Sequence, residues 1–211
     1  MTYILYGDKG SGAFCVAASL AEAGQKVENR SISLDADEQR GEAFLAINPS
    51  GKIPALQLPE GGVVTETAAL LILIAERHPE AHLLPAPGAP ERGTALRWLA
   101  FMAAEIYPIV EISDYPERFI ADHKGAAVLK QSAKKRIRER LLAVEAAVQG
   151  PWFLGDAFSA LDLYAVMFTR WRDARENGWR EEFLPKLCTI AAALKERPAI
   201  APLWETYFPN G

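Results

Sequence analysis

The stretch Asn48-Pro49-Ser50-Gly51-Lys52-Ile53-Pro54-Ala55-Leu56 and the later Thr65-Glu66-Thr67-Ala68-Ala69-Leu70-Leu71 hold the densest chemistry in the chain. They read as turn, strand, tight turn, strand and helix. Pro54 stands where a strand begins, a position proline tolerates because its missing N–H is not needed there. A proline in such a turn often follows a cis bond, which leaves neighbouring backbone groups free for another partner. Glu66 and Thr67 fall in the first turn of the helix, where unpaired N–H groups and the helix dipole seat an anion. An open backbone edge at Ile53 beside an anion seat at Glu66-Thr67 suits a small peptide carrying its own carboxylates.

The elements that must position these residues follow from periodicity and turn signals. Residues 2–6 read as a strand, 7–12 as a glycine-rich turn, and 14–23 as a helix ended by Gly24. Val27, Asn29, Ile32 and Leu34 suggest a second strand over 27–34, and Phe44 and Ile47 a short helix over 38–47. Two short strands and a helix over 66–77 complete a β-α-β-α-β-β-α order. Residues 78–90 hold Pro79, Pro85, Pro87 and Pro90 without periodicity and read as a linker. Strand signals then vanish. Helical spacing covers 91–112, where Pro108 is expected to kink or end the helix, then 124–148, 181–197 and 198–207. In Phe158-Ser159-Ala160-Leu161-Asp162-Leu163, Ser159 and Asp162 form a capping box, with Phe158 and Leu163 as its hydrophobic staple. The expected organisation is an α/β part over 1–77, a linker over 78–90 and an all-α part over 91–211.

With Ile53-Pro54 and Glu66-Thr67 at this spacing, the first part resembles the glutathione-binding half of the glutathione transferase family, of the bacterial cytosolic type. Its element order resembles the thioredoxin-like fold with a mixed four-stranded sheet. The Ser159–Asp162 box carries the resemblance into a C-terminal helical bundle. The resemblance implies an enzyme that binds glutathione as co-substrate, stabilises its thiolate and conjugates it to a small hydrophobic electrophile; the alternatives are a non-catalytic binding protein of the same family, or a glutathione-dependent peroxidase, dehalogenase or isomerase. It implies that Ile53, before a cis Pro54, pairs its backbone with the cysteinyl part. Glu66 and Thr67 would hold the γ-glutamyl group. Lys52 would reach the glycine carboxylate or stay solvated. A homodimer is implied as well.

A free thiol has a pKa of about 8.5 and is only slightly ionised at neutral pH. Lowering it by about two units takes about 2.7 kcal/mol of differential interaction. The donor is expected at the end of the first strand or the start of the first helix: Tyr6, Ser11, or backbone N–H groups around Gly12 and Ala13. Tyr6 matches the position of the catalytic tyrosine in tyrosine-type members. Ser11 lies one place beyond the serine-type position, which lands on Gly10. Gly12 stands where cysteine-type members carry cysteine. Ser11 is placed ahead of Tyr6, because a hydroxyl near a helix start is well placed to donate. The competing roles are an N-cap for Ser11 and strand packing for Tyr6. Tyr107 and Tyr115 are candidates to line the electrophile pocket, with core packing as the alternative.

The 211 residues, half of them hydrophobic, fit one large domain or two small ones. A net charge of −4 speaks against a nucleic-acid partner. No apolar run approaches the roughly 20 residues of a membrane helix, so no membrane role is expected. Met1-Thr2-Tyr3-Ile4 shows no basic start of a signal peptide. Cys15 and Cys188 are distant and lack CxxC spacing, which suits a reducing cytoplasm. His78, His82 and His123 show no metal-ligand spacing, and no metal is expected. The basic run 134–140 contains Ile137 on the buried stripe and reads as a solvated helix face.

Overall fold

The computed structural model describes residues 2–209. A four-stranded mixed sheet in the order β2-β1-β3-β4 carries the first part. β1 (Tyr3–Gly7) pairs parallel with β2 (Val27–Ser31) and antiparallel with β3 (Ala55–Gln57), and β3 pairs antiparallel with β4 (Val63–Thr65). The helices of this part are α1 (Ala13–Glu22), α2 (Glu42–Leu45) and α3 (Thr67–Arg77). This is the thioredoxin-like arrangement expected from the element order.

Side chains alternate across β1. Tyr3 and Leu5 enter the main core with α1 and α3, whereas Ile4 and Tyr6 join a small cluster with Phe44, Ile47 and Ala55. Every residue from Ala13 to Leu20 in α1 is buried. The helix is covered by the sheet, α3, α7 (Ala160–Thr169) and α11 (Ala201–Tyr207), so it can be apolar all round.

The remainder is helical. α4 (Pro90–Glu105), α5 (Tyr107–Asp114), α6 (His123–Ala147), α8 (Arg172–Arg175), α9 (Trp179–Phe183) and α10 (Pro185–Lys195) complete the set with α7 and α11. Among the described residues, the strand-like pairing here is a single bridge between Trp152 and Gly155. No helix of the described residues is long and apolar enough to cross a membrane.

Several boundaries depart from the sequence expectation. β2 stops at Ser31, whose partner Gly7 is the last residue of β1 and leaves no further strand to pair with. The helix expected over 38–47 splits into a 3₁₀ turn (Glu38–Arg40) and α2, because Gly41 turns extended at φ −70°, ψ 150°. The interruption expected from Pro108 does occur, and the helix over 91–112 breaks at Ile106 into α4 and α5. Pro108 has no N–H for the carbonyl of Ala104, and its ring crowds that carbonyl. The helix expected over 181–197 breaks at Leu184 for a related reason, since a residue before proline avoids helical backbone. The short α8 has no counterpart in the sequence reading.

The capping box forms as expected. Asp162 accepts from the backbone N–H groups of Phe153 and Ser159, both at 2.7 Å, and from Ser159 Oγ at 3.1 Å. Burial outweighs these bonds and pushes its carboxyl up to about 6.

Candidate active site

The site begins at the turn before β3. Asn48 holds it: its Nδ2 donates to the Lys52 carbonyl at 2.6 Å, and its Oδ1 accepts from Ser50 N–H at 3.1 Å. The Ile53–Pro54 bond is cis, as expected. Among the described residues, neither the N–H nor the carbonyl of Ile53 has a backbone partner. Across the next hairpin, Glu66 precedes α3 with φ 66° and ψ 109°. That is left-handed territory where a side chain is strained, and such strain clusters at binding sites. Glu66 is exposed and Thr67 buried, both at the rim of one cleft of about 840 Å³.

The start of α1 forms the floor. Ser11 is 7 % exposed and lines the cleft. Its Oγ donates to the Asp8 carbonyl at 2.6 Å and accepts from the N–H groups of Ala13 at 3.2 Å and Asp8 at 3.3 Å. A hydroxyl has one proton to give. In this geometry Ser11 gives it to the backbone and closes the turn before α1. The Gly12 N–H has no partner among the described residues. Tyr6 lies elsewhere. Its hydroxyl donates to Gln57 Oε1 at 3.4 Å and accepts from Arg30 Nη1 at 3.1 Å, and its ring packs on Phe44. It is absent from the cleft lining, because its parity on β1 sends it to the α2 face of the sheet.

The opposite wall comes from the helical part and is aromatic. The Tyr107 ring lies 5.1 Å from Phe168 and 5.3 Å from Trp171, with Tyr164 behind at 6.1 Å. Trp171 Nε1 donates to the Gly10 carbonyl at 2.6 Å and ties this wall to the floor. The Tyr107 hydroxyl approaches Thr67 Oγ1 at 3.5 Å. Burial pushes its pKa upward, so the phenol stays neutral. A Cβ placed on Gly12 would lie 2.2 Å from the Tyr107 hydroxyl, 2.7 Å from Thr67 Oγ1 and 3.3 Å from Pro54 Cδ. Four distant segments therefore meet at one glycine. Tyr115 lines the outer cleft with the Arg118 guanidinium 3.6 Å over its ring. Lys52 is exposed, and its Nζ crosses the cleft to Glu111 at 2.7 Å.

Thus Ser11, Lys52, Ile53, Pro54, Glu66, Thr67, Tyr107 and Tyr115 share the cleft, and Tyr6 does not. Sequence reasoning missed Tyr164, Phe168 and Trp171. Their spacing of four and three places one aromatic stripe on and just beyond α7, a readable signal. Among the described residues, no group of three or more His, Cys, Asp or Glu side chains is placed to hold a metal ion.

A thioredoxin-like half whose cis-proline turn and α3 start face an aromatic helical wall defines a class of two-part proteins with a peptide-sized cleft. The family model described as glutathione S-transferase, N-terminal domain, matches residues 1–76. A maleylacetoacetate isomerase of Pseudomonas aeruginosa is 31 % identical over 165 residues, covering 75 % of each chain. A glutathione transferase homologue from Sulfitobacter, solved with glutathione, superposes with a TM-score of 0.89 at 24 % identity, covering 98 % of this chain and 99 % of that one. A sphingomonad glutathione S-transferase, solved in complex with glutathione, superposes at 0.77 with 27 % identity, covering 96 % of this chain and 97 % of that one. The chain belongs to the glutathione transferase family.

Proposed function

We propose that this chain binds glutathione in the cleft, ionises its thiol and transfers the sulfur to a small hydrophobic electrophile. The observation that carries the reading is the convergence at Gly12. The open Ile53 backbone, the Glu66-Thr67 rim and the start of α1 all face the same aromatic wall. The γ-glutamyl ammonium pairs with Glu66, and its carboxylate sits at the α3 start with Thr67. The cysteinyl amide pairs with Ile53. The glycine carboxylate draws Lys52 from Glu111. The sulfur then lies at the start of α1, where the Gly12 N–H favours the thiolate. The thiol proton passes to water. The thiolate attacks the carbon of an aryl halide held against Tyr107, Tyr115, Phe168 and Trp171, a C–S bond forms, and halide leaves with the bonding pair. Proximity supplies much of the rate.

The glutathione-bound sphingomonad relative supports this reading. Retention of the protein on immobilised glutathione, followed by turnover of chlorodinitrobenzene, is the expected result. Passage through the column unretained would overturn it. The isomerase relative favours a second reading, reversible addition of the sulfur to a double bond. One assay separates the two: conjugation consumes glutathione, whereas isomerisation returns it.

A further inference from the structure

We infer that the hydroxyl of Tyr107, from the helical part, donates a hydrogen bond to the glutathione sulfur and stabilises it as thiolate. This deepens the proposed function and rests on it. Two candidates for a hydroxyl donor precede it, and the geometry separates them from Tyr107. Tyr6 faces the far side of the sheet, bonded to Gln57 and Arg30. Ser11 spends its one proton on the Asp8 carbonyl at 2.6 Å, a strong bond that also closes the turn before α1. Among the described residues, the Tyr107 hydroxyl makes only long contacts, to Thr67 Oγ1 at 3.5 Å and to Met167 Sδ at 3.8 Å. Its proton is therefore free to turn to a new acceptor.

Position agrees with availability. The Tyr107 hydroxyl sits where a side chain at residue 12 would begin, 2.2 Å from an ideal Cβ. Only glycine lets the phenol come this close to the first turn of α1. The phenol oxygen and the Gly12 N–H, unpartnered among the described residues, are thus neighbours at the start of α1. Edge contacts with Phe168 and Trp171 hold the ring in place, so little reorganisation accompanies ionisation of the thiol.

The groups around the phenol suit a neutral donor. Cys15 from α1 and Tyr164 from α7 are both kept protonated by burial. Burial is the main cause that keeps the phenol itself protonated, and the Glu66 side chain ahead of α3 acts in the same direction. On α5 itself, Glu111 is paired with Lys52. Arg170 and Arg172 line the same cleft.

The test compares wild type with Tyr107→Phe. The ionisation of bound glutathione is followed by thiolate ultraviolet absorbance across pH, and kcat/KM for chlorodinitrobenzene is measured over the same range. Calorimetry with S-methylglutathione, whose sulfur cannot ionise, reads the peptide site separately. The expected result is unchanged S-methylglutathione affinity, a bound-thiol pKa about one unit higher, and about tenfold lower kcat/KM at low pH that recovers in alkali. Unchanged thiol ionisation in Tyr107→Phe overturns the inference and leaves the glutathione site standing. A rise in KM for the electrophile at every pH, without a thiol shift, overturns it too and assigns Tyr107 to the electrophile pocket. If wild type binds neither glutathione nor S-methylglutathione, the proposed function itself fails. If Tyr107→Phe does not fold, 3-fluorotyrosine at position 107, which keeps the ring and makes the phenol a stronger donor, must lower the bound-thiol pKa, and an unchanged value overturns the inference.

Discussion

Glu66 accepts a strained backbone at φ 66° while its carboxylate stays exposed at the rim of the cleft. A residue placed this way serves a ligand better than it serves the fold. Glu66→Ala is expected to weaken glutathione binding by tenfold or more, a charge-assisted bond contributing about 1.5–3 kcal/mol. Stability should move by less than about 0.5 kcal/mol. Calorimetry beside a urea titration checks both. Ser11 predicts the reverse pattern. Its Oγ accepts from the Ala13 N–H and donates to the Asp8 carbonyl, so Ser11→Ala removes buried turn-closing bonds and should cost about 1–3 kcal/mol of stability. The bound-thiol pKa should move less than in Tyr107→Phe. A larger thiol shift in Ser11→Ala would restore serine as the activator.

At the scale of elements, α7 depends on Asp162. Two buried backbone N–H groups point at its carboxylate from the segment before the helix. The folded carboxyl titrates near 6 against about 3.9 in an unfolded chain, so the folded state holds the proton more tightly. Its contribution is therefore complete below about pH 4 and is lost as pH rises toward about 6. Asp162→Asn should lower stability at every pH, because its amide NH₂ meets a donor. It should also remove this slope, so the stability gap to wild type is largest near pH 4. Urea midpoints at acid and neutral pH measure it, and a constant gap would refute the assignment. The start of α7 was legible because a capping box is written within four neighbouring residues. The breaks at Ile106 and Leu184 were less legible. Proline announces that a helix is interrupted, while packing decides at which residue.

For the whole molecule, the main core runs without interruption from β1 and α1 through α7 to α11. α3 buries Leu70, Leu71 and Ile74 within this core and leaves Ala69 exposed, with Ile72 and Leu73 half-buried. Leu96 on α4 is exposed, and Arg92 bonds Glu76 at 3.3 Å between the two helices. We predict that a second copy covers this apolar stretch in a symmetric homodimer. Light scattering at micromolar concentration should return twice the mass of one chain, and a monomer mass would refute the prediction.

Some of this protein was decided by neighbouring residues alone. Ile53-Pro54 after a Gly-Lys turn, Glu66-Thr67 between strand and helix, and Ser159 with Asp162 are short-range devices. Their physics is complete within a few residues, so they were readable before any folding. The choice among hydroxyls was not. Tyr6 and Ser11 lie near the right place in the chain, but strand parity turns one away and the Asp8 carbonyl occupies the other. Tyr107 reaches Gly12 only because α5 breaks from α4 and packs across the cleft, with Phe168 and Trp171 holding its ring. A side chain's direction is set by whatever covers it, and here the covering groups come from segments that meet only in the folded chain.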